Sequence, residues 1–284
     1  GTYVPPALVE EMVKDPGSYS MQAQTRELTV MFCDMRGFTQ LSETLDPIEL
    51  QALLNTVFNQ LTRVIRQHRG TIDKYMGDCV MAFWGAPVKM DDHAPLAVQA
   101  ALDMAKAVHA INAQRAALGQ LPIGLGVGLN TGEMCVGDMG SEMRRSYTVI
   151  GDAVNLGSRL EGLSSVYGVD TVASGFTQAQ APDHVWQKLD RVRVKGKAVS
   201  VEIYAPICPL SQLTPELAQE LQVWDRALAA WRLQQWDVCA QHLAALQRQN
   251  EEKVLYRLYA KRVASVQASP PGPGWDGTTV FDNK

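Results

Sequence analysis

The 284-residue chain has no close pair of cysteines: its five lie at 33, 79, 135, 208 and 239, with none of the CxxC spacing of a zinc or redox site. Cys33, Cys79 and Cys135 sit in strongly apolar runs and read as buried, inert thiols, which fits a reduced, cytosolic compartment. No apolar stretch approaches the roughly 20 residues that a membrane-spanning helix needs, and these residues contain no stretch that reads as a secretory n-region or h-region. A large excess of charge of one sign is also missing. The net charge of −4 provides no electrostatic reason to bind duplex nucleic acid or an anionic membrane. A Walker-type glycine-rich loop is absent too. The chain begins at Gly1 without an initiator Met, so we expect a fragment of something longer, with a sensor or membrane segment upstream.

What is present is an ordinary globular composition, 46% hydrophobic and 20% charged, enough for one large domain or two modest ones. Val9 to Lys14 is a short amphipathic piece between Pro6 and Pro16-Gly17, and residues 1–24 read as a linker segment. A strand runs from Glu27 to Asp34 and turns through Met35-Arg-Gly-Phe-Thr39 into a helix. Asp46-Pro47 with Glu49 opens a long helix with an apolar stripe from Leu50 to Ile65, ended by Gly70. Thr71 to Tyr75 and Asp78 to Trp84 form a hairpin around Met76-Gly77. A second helix spans about 92–118. Residues 123–129 and 133–138 read as two strands around Asn130-Thr-Gly132, 151–164 as a helix, and 185–194 and 199–205 as strands.

The order strand, helix, strand, strand, helix, strand is that of a ferredoxin-like unit with additions. The expected fold is α+β, a sandwich of helices on one sheet, over residues 25–206. Residues 207–284 change character: 214–232, 235–248 and 251–266 read as three helices, the last two resembling a single tetratricopeptide-type pair. Trp224, Trp231 and Trp236 are expected to pack these helices together, and Trp275 and Phe281 to pin the Pro/Gly-rich tail to the body.

Asp34 ends an apolar strand and Asp78 opens another. Two carboxylates brought together there suit Mg²⁺, which takes oxygen ligands and keeps waters and substrate phosphates as the rest; from spacing alone, two strand-end or turn carboxylates facing water are the favoured reading. The N–H groups at the Met35–Thr39 turn suit phosphate oxygens, or Thr39 or Ser42 simply caps the helix. Lys74 alone reads as a solvated strand lysine. Asn155 and Arg159, four apart, share one helix face beside the apolar stripe of Ala153, Leu156, Leu160 and Leu163.

Four blocks turn these fragments into a resemblance. Phe32-Cys-Asp34-Met-Arg-Gly-Phe-Thr39 resembles the first metal motif of class III nucleotidyl cyclases, and Asp73-Lys-Tyr-Met-Gly-Asp78-Cys-Val-Met-Ala-Phe their second. Tyr147-Thr-Val-Ile-Gly-Asp-Ala-Val-Asn155-Leu-Gly-Ser-Arg159 resembles their transition-state helix, and Val194-Lys-Gly-Lys197 their late phosphate-contacting turn. The blocks occur in the family's order over about 25–206. The resemblance implies an adenylyl cyclase that makes cyclic AMP from ATP with two Mg²⁺ or Mn²⁺ ions per site. It assigns Asp34, Met35 and Asp78 to the metals, Lys74 and Thr148 to adenine, and Asn155 to the ribose. Arg159 falls to the α-phosphate, and Lys195, ahead of Lys197, to the terminal phosphates. Phe38 and Thr39 join the phosphate turn, and Arg144 or Arg145 is a further phosphate contact.

Guanylyl cyclases of the family typically place Glu and Cys at the Lys74 and Thr148 positions. Thr148 marks the subclass called IIIb, which implies a response to bicarbonate. The family's sites form between two domains, so a homodimer with two equivalent sites is implied. The opening Tyr3-Val-Pro-Pro-Ala-Leu-Val and the tail Trp275-Asp-Gly resemble sensor-linked bacterial cyclases whose parent is anchored in the inner membrane. A guanylyl or dual-specificity cyclase and an inactive nucleotide-binding module are the alternatives. The hairpin lacks the Gly-Gly-Asp/Glu-Glu-Phe of diguanylate cyclases.

Overall fold

A computed structural model describes residues 6–18 and 21–282, so Tyr3, Val4 and Pro5 of the opening segment lie outside the described residues. α1 (Pro6–Lys14) leads in and buries Leu8 completely in the main core. β1 (Gln24–Arg36) is buried on both faces through its middle. Met31, Cys33 and Met35 face one side of the sheet, while Leu28, Val30 and Phe32 face the other. Short α2 (Phe38–Thr44) follows. α3 (Pro47–Gln67) starts on a full capping box, with Asp46 accepting from the N–H groups of Ile48 and Glu49 and Glu49 reaching back to the Asp46 N–H. Its Val57, Leu61, Val64 and Ile65 enter the first core. Gly70 is needed for close approach: an added Cβ would meet the Trp84 ring at 2.6 Å.

β2 (Thr71–Met76) and β3 (Cys79–Trp84) form the expected hairpin, closed by the Met76–Cys79 pair with Gly77 at φ +61°. Asp78 is therefore a loop residue, one position short of the strand it was expected to open. After α4 (His93–Ala117), β4 (Gly124–Ser141) closes the unit, giving the neighbour order β2-β3-β1-β4 of a ferredoxin-like sheet. The sheet then continues through β6 (Thr171–Ser174), β8 (Val201–Pro209), β7 (His184–Val194) and β9 (Thr279–Phe281), while β5 (Arg144–Ile150) pairs with β4. α5 (Asp152–Tyr167) and short α6 (Gly175–Ala179) complete the body.

β4 corrects the expected pair of strands around Asn130-Thr-Gly132, which is no turn. Asn130 donates to the Ala153 carbonyl at 2.8 Å and accepts from Ser174 at 2.6 Å. Thr131 bonds Thr29 and Thr177. Turn-type residues run on as strand here because buried side-chain partners satisfy them. Gly132 leaves room for Ala153, 3.3 Å from an added Cβ.

Three further helices, α7 (Pro215–Arg232), α8 (Trp236–Gln249) and α9 (Val254–Ala268), share one apolar cluster with α5, β7 and β8. Trp231 packs edge-on against Trp236, Trp275 and Tyr259, and Phe281 packs on Tyr167, so both tail aromatics are pinned as anticipated. All five cysteines are free; Cys33 is buried and Cys79 and Cys135 are half-buried. No helix among the described residues is long and apolar enough to cross a membrane.

Candidate active site

Asp34 continues the Leu28-Val30-Phe32 series, opposite Cys79 of β3 and Gly126 of β4. Asp78, in the hairpin loop, accepts from the Met35 N–H through its carbonyl at 3.4 Å. Antiparallel β1–β3 pairing thus brings the two acids together. Burial first, and then the charge of Asp78 beside it, push the Asp34 carboxyl up to about 6. Glu161 of α5 faces the same end, and burial and then Asp34 raise it to about 7 against the pull of Arg36. Asp34 Oδ1 is buried and has no hydrogen-bond partner. The Met35 side chain is buried in the opposite core, so only its main chain is available at this end.

A divalent cation fits this end. Two crowded carboxylates repel each other, one oxygen is orphaned, and hard cations need few protein oxygens when phosphates supply the rest. No group of three or more His, Cys, Asp or Glu that could hold a metal occurs among the described residues, so substrate and water would have to complete the shell. A carboxyl raised on folding costs stability once it ionises, so relief should come from either of two changes. In metal-free protein at pH 8, Asp78→Asn is expected to raise the melting temperature by about 2–4 °C. It should also abolish the upward shift that Mn²⁺ gives the wild type. Thermal melts with and without Mn²⁺ check both.

Lys74 reaches its place through a β-bulge. The β2–β3 register shifts between Ile72 and Lys74, leaving Asp73 as the extra residue. Ile72 opposes Ala82 of the first core and Lys74 opposes Met81 of the other, so the bulge turns Lys74 to the face that carries Asp34. There the Thr148 hydroxyl of β5 donates to Asp73 Oδ2 at 2.5 Å, and Lys74 Nζ lies 3.8 Å from Asp73 Oδ1. The Asp73 side chain is 1% exposed. Burial raises its carboxyl while the Thr148 hydroxyl and the Lys74 charge oppose the rise. Asp73 is the residue that the sequence reading passed over. Its signal was an acid in an otherwise inward-facing stretch, Thr71-Ile72-Asp73, costly there without donors.

α5 carries Asn155, exposed, and Arg159, half-buried. Gly151 ahead of it, at φ +137°, provides no side-chain cap. The helix lies directly on the sheet: a Cβ on Gly128 would be 2.3 Å from the Gly157 carbonyl, and one on Gly157 2.9 Å from Val30. The Arg159 guanidinium ends beside the β7–β8 turn, 3.5 Å from where Gly196 would carry a Cβ. Lys195 on that turn is exposed, whereas Lys197 is tied to Asp152 at 3.2 Å. Arg144 and Arg145 are both exposed at the β4–β5 tip, with Arg145 3.7 Å from Asp138. Gly37, at φ +77°, precedes α2 with no side-chain cap, leaving the first N–H groups near Phe38 and Thr39 open; the Ser42 hydroxyl donates instead to the Thr39 carbonyl. The chain therefore assembles three groupings: the acid pair, the Lys74–Asp73–Thr148 cluster, and Arg159 with the Lys195 turn.

Comparison with known proteins converges on one family. Residues 20–205 match the adenylate and guanylate cyclase catalytic domain. Adenylate cyclase 1 of Rhizobium meliloti (strain 1021) is 36% identical over 203 residues, covering 71% of this chain and 30% of the relative. The adenylate cyclase of Anabaena cylindrica is 36% identical over 190 residues, 64% of this chain and 37% of the relative. The chain thus spans about a third of the length of these curated relatives. The solved adenylyl cyclase CyaB from P. aeruginosa aligns with a TM-score of 0.63 at 36% identity, over 68% of this chain and 100% of that one. The guanylyl cyclase Cya2 aligns at 0.59 and 36% identity, over 66% and 95%. With its family motifs in order on a matching fold, the chain belongs to the adenylate and guanylate cyclase catalytic domains, the class III nucleotidyl cyclases.

Proposed function

We propose that the chain is the catalytic region of an adenylyl cyclase that converts ATP to cyclic AMP and pyrophosphate at two equivalent sites shared by a homodimer. The observation that carries the choice of base is the cluster around Asp73. The Thr148 proton is spent on Asp73, which leaves the hydroxyl only lone pairs to offer. An acceptor suits the exocyclic amine of adenine and opposes the carbonyl of guanine. Lys74 beside it donates to the purine acceptor N1.

In the reaction the ribose 3′-oxygen attacks the α-phosphorus and gives its proton to water, while the bond from the α-phosphorus to the oxygen bridging it to the β-phosphorus breaks and releases pyrophosphate. Two divalent cations, Mg²⁺ or Mn²⁺, would activate that hydroxyl and neutralise the phosphates. Asp34 and Asp78, with the Met35 main chain, would hold them. Asn155 holds the ribose. Arg159 stabilises the charge that builds at the α-phosphate. Lys195 and the open N–H groups near Phe38 and Thr39 take the other phosphates. The acid pair and the neighbouring N–H groups at Phe38 and Thr39 come from one protomer and Lys74, Thr148, Asn155, Arg159 and Lys195 from its twin, as a self-complementary twofold interface allows.

A turnover assay with ATP and with GTP, each in Mg²⁺ and in Mn²⁺ and with the cyclic product identified, tests this. ATP is expected to be turned over at least tenfold more efficiently than GTP. Equal or inverted preference would refute the adenine assignment, and tight nucleotide binding without any product would refute the enzymatic one.

A further inference from the structure

Residues 207–284 lie beyond the matched family domain, yet they bond closely to it at one stretch of β7. The β7–β8 register shifts between Lys188 and Asp190. Such a bulge leaves main-chain carbonyls without strand partners. The Trp224 indole of α7 donates to the Lys188 carbonyl at 2.6 Å and the Tyr259 hydroxyl of α9 to the Leu189 carbonyl at 2.7 Å. Next to them Asp190 is 1% exposed. Its Oδ2 accepts from three separate elements: Tyr167 at the end of α5 at 2.6 Å, Arg262 of α9 at 2.7 Å, and Thr279 of β9 at 2.8 Å. Arg262 also lies over the rings of Tyr167 and Tyr259, 5.6 and 4.8 Å from their centroids.

These bonds bear on two pieces of the site at once. Tyr167 ends the helix that carries Arg159. β9 runs parallel to β7, with Val280 opposite Arg193 and Phe281 opposite Val194, so its pairing stops just before Lys195. Phe281 packs edge-on against Tyr167, with 6.5 Å between centroids. We propose that Asp190, Tyr167, Arg262 and Thr279 are positioning residues through which the C-terminal helices and tail set the spacing between Arg159 and the Lys195 turn. This rests on the cyclase reading above, because those two cations then grip one triphosphate. A pair of cations on separate elements delivers its charge to the transition state only if their separation is held. The bulge bonds anchor β7, and the shared carboxylate ties α5 to it. The helical extension is on this view part of the catalytic apparatus.

The test uses the full chain, with Tyr167→Phe and Thr279→Val singly and together. Each removes one hydroxyl and leaves the buried Asp190–Arg262 pair intact. Four quantities are measured: melting temperature, kcat and KM for ATP, the ATP-to-GTP preference, and amide exchange across 160–167 and 195–197. The double variant is expected to lose about tenfold in kcat, with faster exchange in both segments and an unchanged base preference, since the Asp73 cluster is untouched. Unaltered kcat, or a fall in melting temperature without any fall in kcat below the melt, would reduce the network to scaffolding and overturn the proposal. If the wild type forms no cyclic nucleotide, the cyclase reading fails separately. Exchange then decides the mechanical claim: quickening confined to 279–281 overturns it, and joint quickening of 160–167 and 195–197 supports it.

Discussion

Chains carrying Asp34→Ala and chains carrying Arg159→Ala should each be inactive alone and should recover about a quarter of wild-type cyclic AMP formation when mixed in equal amounts and allowed to exchange subunits. With random pairing, about half of the dimers are mixed, and each mixed dimer has one site with both lesions and one with neither. Removal of either group alone should cost about a hundredfold or more, since Asp34 would hold the cations and Arg159 meets the charge that builds at the α-phosphate. Measuring product against mixing ratio checks the claim: recovery should peak at equal amounts. Mixed dimers that form, as seen by differential tagging, but stay inactive would rule out sites divided between protomers.

Exchanging the base-reading pair for the residues of guanylyl cyclases, Lys74→Glu with Thr148→Cys, is expected to abolish ATP turnover by about a thousandfold or more. A site built to hydrogen-bond one base leaves buried groups unpaired with another. GTP turnover should stay poor in this double variant, for a reason local to this chain. Lys74 Nζ sits 3.8 Å from Asp73 Oδ1, so a carboxylate at position 74 would face a buried carboxylate of like charge. Adding Asp73→Asn removes that repulsion, and GTP turnover should then rise about tenfold or more over the double variant. The kcat/KM values for ATP and GTP across the three proteins measure this. A triple variant no better with GTP than the double would show that Asp73 has no part in base choice.

Which parts of this were legible in the sequence follows from the range of the interactions. The capping box at Asp46, the Gly77 hairpin and the apolar stripe of α3 are local, and propensity and periodicity find them. β4 was misread because Asn130, Thr131 and Gly132 are turn residues by composition, and only partners on α5, β1, β6 and α6 make them strand. The acid pair was visible as two motifs, but its raised Asp34 depends on burial and on Asp78 across the hairpin. Asp73 was hidden because a period-two reading puts Ile72 and Lys74 on one face; the bulge that separates them leaves no local mark. The Asp190 junction was beyond reach, as it gathers side chains from α5, α9 and β9.

The glycine contact between α5 and β4 carries a mechanical consequence. At Gly128 the strand rests directly on the backbone of the helix, so no side chain lies between them at that crossing. A push on the strand meets the helix main chain there first, like a key on a shaft. A stimulus that shifts this strand would then move the helix with it, and in the proposed homodimer turnover would follow how the two halves swing together and apart.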